Sequence, residues 1–85
     1  MPHPFKARIE IMLKPGVLDP QGEAVRHALA TLGFAGIDKV RQGKLVEIDM
    51  EAGNAEEAAA RAREMCEKLL ANTVIEDYRI EIAER

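Results

Sequence analysis

The chain has no serine, a single cysteine and only three aromatic side chains in its 85 residues. Without serine there is no serine nucleophile, and Cys66 falls on a core-facing helical stripe with no base in reach, which disfavours nucleophilic catalysis. One cysteine also excludes an intrachain disulfide and a cysteine metal cluster. A reduced, buried thiol in a cytoplasmic protein is the expectation. Phe5, Phe34 and Tyr78 are too scattered to make a base-stacking platform, and a net charge of -3 offers no surplus of cations for phosphates. Nucleic acid is therefore not an expected partner. No stretch approaches the roughly 20 apolar residues of a membrane span. Met1-Pro2-His3-Pro4 has no positive region followed by an apolar run, so it reads as a short tail (1–4) before one domain (5–85). The glycines never take a phosphate-loop spacing with a following Lys-Ser/Thr. His3 and His27 lack catalytic neighbours, and the acidic pairs Glu56-Glu57 and Glu76-Asp77 suit solvated positions better than acid/base work.

What remains is a regular pattern. Ala7, Ile9, Ile11 and Leu13 alternate with Lys6, Arg8 and Glu10, which is a half-buried strand. Asp19 can cap a helix with Pro20 in its first turn. Val25, Ala28, Leu29 and Leu32 then follow at helical spacing until Gly33 stops it. Ile37 to Arg41 and Leu45 to Glu51 read as a hairpin around Gln42-Gly43. Asn54 with Glu57 opens a second helix, whose apolar arc is Ala55, Ala58, Ala59, Ala62, Met65, Cys66 and Leu69. Its opposite side is charged, with Glu57 to Arg61 and Glu64 to Lys68 in the favoured i,i+4 order. A last strand from Asp77 to Ala83 buries Tyr78, Ile80 and Ile82.

The order βαββαβ predicts an α+β, ferredoxin-like sandwich, a four-stranded antiparallel sheet with two helices on one face. Its other face would carry Lys6, Arg8, Glu10, Glu47, Asp49, Arg79 and Glu81 in cross-strand pairs. Met12 and Leu45 are apolar on that same face and point toward self-association. In the loop Lys14 to Gly22, two prolines stiffen a turn that carries Val17 and Leu18 where polar residues belong, so the loop is expected to be covered by another chain.

Lys14-Pro15-Gly16-Val17-Leu18-Asp19-Pro20-Gln21-Gly22, Val40-Arg41-Gln42-Gly43-Lys44 and Leu69-Leu70-Ala71-Asn72-Thr73-Val74-Ile75-Glu76-Asp77-Tyr78 occur in that order, and together they resemble the PurS family. That family is the small subunit of phosphoribosylformylglycinamidine synthase, a glutamine-hydrolysing carbon-nitrogen ligase of de novo purine synthesis. The resemblance implies a subunit without catalysis of its own, which supports ammonia transfer between a glutaminase subunit and an ATP-dependent synthetase subunit. It also implies pairing with itself as a dimer or dimer of dimers. No cofactor is implied for this chain, while the complex would use ATP and magnesium. Interface residues implied by position are Pro15, Gly16, Val17, Leu18, Asp19, Arg41, Gly43, Lys44, Asn72, Val74, Ile75 and Tyr78. Thr73 stands where the family commonly has proline, which implies a less rigid bend there. The residues alone also fit an ACT-like dimeric module that senses a metabolite, which is the alternative.

Overall fold

The computed structural model describes residues 2–85. Met1, part of the expected tail, lies outside them. Strand β1 (His3–Leu13) starts earlier than the alternation indicated, with His3 and Pro4 opposite Ala52 and Glu51. It is followed by α1 (Pro20–Thr31), β2 (Gly43–Ala52), α2 (Ala55–Met65), a π-helical turn (Cys66–Leu70) and β3 (Glu76–Glu84). Among the described residues the sheet has three strands in the order β2-β1-β3, both pairings antiparallel.

This corrects the expected four-stranded sheet. Ile37 to Arg41 forms no strand; the chain enters β2 only at Gly43, which pairs with Met12. A two-residue hairpin needs positive φ in its turn. Among the described residues only Gly16, Gly33 and Gly36 have it, so Gln42-Gly43 cannot reverse the chain in that way.

The core lies between one sheet face and α2. Phe5, Ala7, Ile9 and Ile11 of β1 are buried with Met50 and Ala52 of β2 and with Ala58, Ala62 and Cys66 above them. Small side chains on α2 let the helix approach the sheet closely. The arc predicted for α2 breaks at its end, where Leu69 is 82% exposed and Leu70 is half-buried in its place. The Ala71 amide bonds back to the Cys66 carbonyl, five residues away, and this wider turn rotates every following side chain out of the helical phase. On the other face the ion pairs follow the strand register. Lys6 meets Asp49 at 3.8 Å, Arg8 meets Glu47 at 3.3 Å and Arg79 meets Glu10 at 2.9 Å.

The second correction concerns α1, which does not pack on the sheet. Its ends form as the sequence indicates. The Asp19 carboxylate accepts from the Gly22 amide at 2.9 Å, and the Gly33 and Phe34 amides close the other end on the Ala30 and Leu29 carbonyls. Yet Val25, Ala28 and Leu32 are exposed and Leu29 is only half-buried. Amphipathic spacing shows that a helix has an apolar side, and says nothing about which surface receives it. The Cα radius of gyration is 16.6 Å, against roughly 12 Å for a compact chain of this length, and the long axis spans 55 Å. Residues 20–42 stand out as an arm, helix out and irregular chain back.

Candidate functional site

The three sequence segments converge at one end of the sheet, where Leu13 pairs with Glu76 and Met12 with Gly43. Pro15 and Gly16 occupy the middle of a tight turn closed by the Val17 amide on the Lys14 carbonyl at 3.1 Å. Gly16 takes φ +86°, the position that a type II turn reserves for glycine. The Lys14 amide donates to the Ile75 carbonyl at 2.8 Å and so joins this loop to the entrance of β3.

Asp19 has two tasks. Besides capping α1 it accepts the Gln42 amide at 2.9 Å, and these backbone bonds, that of Gln42 foremost, hold its carboxyl below the ordinary 3.8. The Arg41 guanidinium donates to the Leu13 carbonyl, so a residue expected to reach a partner is engaged within the chain. Val40 presents its carbonyl to Gly22, where a Cβ would collide with it. A cleft of about 320 Å³ lies between the Lys14 to Asp19 loop and Lys39, Val40 and Arg41. A second, of about 500 Å³, is lined by Ile11, Leu13, Pro20, Gln42, Lys44 and Glu76 among others.

At the third segment, Asn72 organises the bend before β3. Its carbonyl accepts from the Ile75 and Glu76 amides, its side-chain oxygen from the Val74 amide at 3.2 Å, and its own amide donates to the Glu76 carboxylate at 2.7 Å. These bonds fix the bend without a proline at position 73. Tyr78 sits apart. Its hydroxyl donates to the Glu67 carboxylate at 2.7 Å, which pushes the phenol up and ties β3 to the π-helical turn.

Among the exposed polar residues of this end, such as Arg41, Lys44 and Asn72, stand apolar ones. Leu18 is 78% exposed, Val74 80%, and Ile75 is also exposed. Reactive groups are not gathered there. His27 lies exposed on the arm, and among the described residues no three of His, Cys, Asp or Glu are placed to hold a metal ion. Burial, with the Glu67 carboxylate second, pushes the Cys66 thiol above its ordinary 9.0. Sequence reasoning missed the bonds of Asp19 to Gln42 and of Arg41 to Leu13. It also missed Arg85, whose guanidinium donates to the Phe5 carbonyl at 2.9 Å and the Met50 carbonyl at 3.1 Å. Contacts between side chains and distant backbone carry no periodic signal.

The family described as "PurS: Phosphoribosylformylglycinamidine (FGAM) synthase" matches residues 6–84. The chain belongs to the PurS family. The PurS subunit of Bacillus subtilis is 48% identical over 80 residues, 94% of each chain. That of Archaeoglobus fulgidus is 53% identical over 74 residues, 87% of this chain and 92% of the other. Among solved structures, Methanocaldococcus jannaschii PurS superposes with a TM-score of 0.88 at 42% identity, covering 95% of this chain and 98% of that one. A chain of the Thermotoga maritima structure described as PurLQS gives 0.86 at 32% identity, covering 94% and 98%. No helix among the described residues is long and apolar enough to cross a membrane.

Proposed function

We propose that the chain is the small, non-catalytic subunit of phosphoribosylformylglycinamidine synthase, which joins a glutaminase and an ATP-dependent synthetase in purine biosynthesis. The observation that carries this reading is the end of the sheet where Leu18, Val74 and Ile75 stand exposed on a backbone fixed by Gly16, Asn72 and the Lys14 to Ile75 bond. Rigid apolar residues on loops suit contact with other polypeptides, since little entropy is lost when they are covered. The Thermotoga maritima relative within PurLQS supports the same view.

In this reading Pro15 to Asp19 with Asn72, Val74 and Ile75 form the contact surface, Arg41, Gly43 and Lys44 shape its border, and Tyr78 holds the bend from behind. The chain associates with itself and works in the cytoplasm. ATP and magnesium serve the synthetase subunit, where the amide oxygen of formylglycinamide ribonucleotide is replaced by ammonia from glutamine.

Co-purification tests the proposal. The chain, mixed with the glutaminase and synthetase of the same organism with glutamine and nucleotide present, is expected to elute with both and to raise glutamine-dependent turnover. Failure to join them, or turnover by the chain alone, would end it. Saturable binding of an amino acid to the isolated chain would instead favour the ACT-like sensor.

A further inference from the structure

The cleft between the Lys14 to Asp19 loop and residues 39–41 gathers positive charge in a chain whose net charge is -3. Lys14, Lys39 and Arg41 line it, with Asp19 and Glu23 as its acidic residues. Neither acid is free to neutralise the lysines. The two oxygens of Asp19 accept the Gly22 and Gln42 amides, and Glu23 pairs with Arg26. Arg41 is turned onto the Leu13 carbonyl. Among the described residues Lys14 and Lys39 take part in no ion pair. Lys14 is half-buried, so its side chain has less freedom to lose on binding than a fully exposed lysine.

Two uncompensated cations call for an anion, and the backbone around them decides its kind. A phosphate is held by free amides that converge on it. Here the Val17 amide bonds the Lys14 carbonyl, and those of Gly22 and Gln42 bond Asp19, so these donors are taken. The two carboxylates on the cleft wall also repel a dianion more than a single negative charge. Leu18, 78% exposed, borders the same cleft, which suits a polypeptide that offers a carboxylate beside apolar side chains. A second copy has much of its negative charge engaged already. Glu10, Glu47, Asp49 and Glu64 pair with cations of their own chain, and Glu67 accepts from Tyr78. We infer that an acidic segment of a partner subunit of the synthase seats in this cleft, its carboxylate on Lys14 and Lys39 and its apolar side chains on Leu18. This names the chemistry of the partner surface in the assembly reading above and rests on that reading.

Zero-length coupling of the assembled complex tests this on the unsubstituted protein. A carbodiimide joins an amine to a carboxylate only where they touch, and peptide mass spectrometry is expected to find Lys14 or Lys39 joined to an Asp or Glu of the glutaminase or synthetase. Lys39→Glu is expected to weaken assembly at least tenfold and to flatten its dependence on salt, because charges at the edge of an interface set the association rate and the salt response. Arg63→Glu, the same change of charge on α2 and outside the cleft, is expected to leave both as they were. Equal weakening by the two variants would make the effect one of net charge and overturn the inference. So would a Lys39→Glu chain that assembles like the unsubstituted one, the absence of coupling from either lysine to the glutaminase or synthetase, or inorganic phosphate that shields both lysines from acylation in the isolated chain. In each of these cases a complex that still forms leaves the assembly reading standing. An unsubstituted chain that joins neither partner overturns both.

Discussion

The Asp19 carboxylate accepts the Gln42 amide at 2.9 Å across 23 residues, and with its other oxygen it caps α1 through Gly22. One side chain therefore starts the arm and closes it. The charge strengthens both bonds, since protonation of the carboxylate weakens it as an acceptor.

The folded-state value of Asp19 is depressed, so its contribution is present above the ordinary 3.8 and is lost as pH falls through the folded value. Amide exchange over residues 20–42 is expected to quicken on acidification below about pH 4 before the sheet melts. Asp19→Ala should show the same quickening at neutral pH. Glu23 and Glu64 are depressed as well, by their bonds to Arg26 and Lys68, and the variant separates their effect from that of Asp19.

Gly22→Ala places a Cβ against the Val40 carbonyl and 2.6 Å from Asp19 Oδ2. Backbone cannot give way as a flexible side chain does, so a loss on the order of 1–3 kcal/mol is expected. Chemical denaturation should report it as a lower midpoint. Hydrogen exchange should place the loosening in residues 20–42 and leave β1 and α2 protected.

Leu18→Asp changes a residue that is exposed in the single chain. Thermal unfolding of the isolated protein should shift by no more than the few tenths of a kcal/mol usual for surface substitutions. Pull-down with the glutaminase and synthetase is expected to fail. Unfolding of the variant would make Leu18 a core residue and remove it from the contact surface.

Cys66→Ser puts a hydroxyl among Ala58, Ala62 and Ile9, all fully buried. A cost of about 1–3 kcal/mol follows from burying an unpaired polar group. Complex composition and glutamine-dependent turnover should be unchanged once the protein is folded. Thiol reagents should modify Cys66 slowly in the native state and rapidly in denaturant, as burial and a raised thiol value both suppress the thiolate.

Local chemistry was legible in the sequence. Alternation marked β1 and β3, Asp19 with Pro20 and Gly33 marked the ends of α1, and Asn54 with Glu57 marked the start of α2. There the Glu57 amide bonds the Asn54 side chain at 2.8 Å, and the Glu57 carboxylate reaches back to the Gly53 amide at 3.1 Å. The charged sheet face was legible too, because register follows from side-chain alternation. The expected Glu57 to Arg61 pairing was displaced when Arg61 found the Glu51 carbonyl, while Glu64 and Lys68 do meet at 2.7 Å.

By itself the sequence determined the two helices and three of the four strands expected of it, which side of each is apolar, and membership of the PurS family, all of which rest on residue patterns along the chain. The tertiary structure decided what those apolar sides meet. It left Ile37 to Arg41 without a strand partner, let a π-helical turn expose Leu69, and fixed α1 outward through the bonds of Asp19, Arg41 and Gly22 at its root. Such contacts join groups far apart in sequence, and their cost in chain entropy is repaid only in the assembled geometry, which no local pattern encodes.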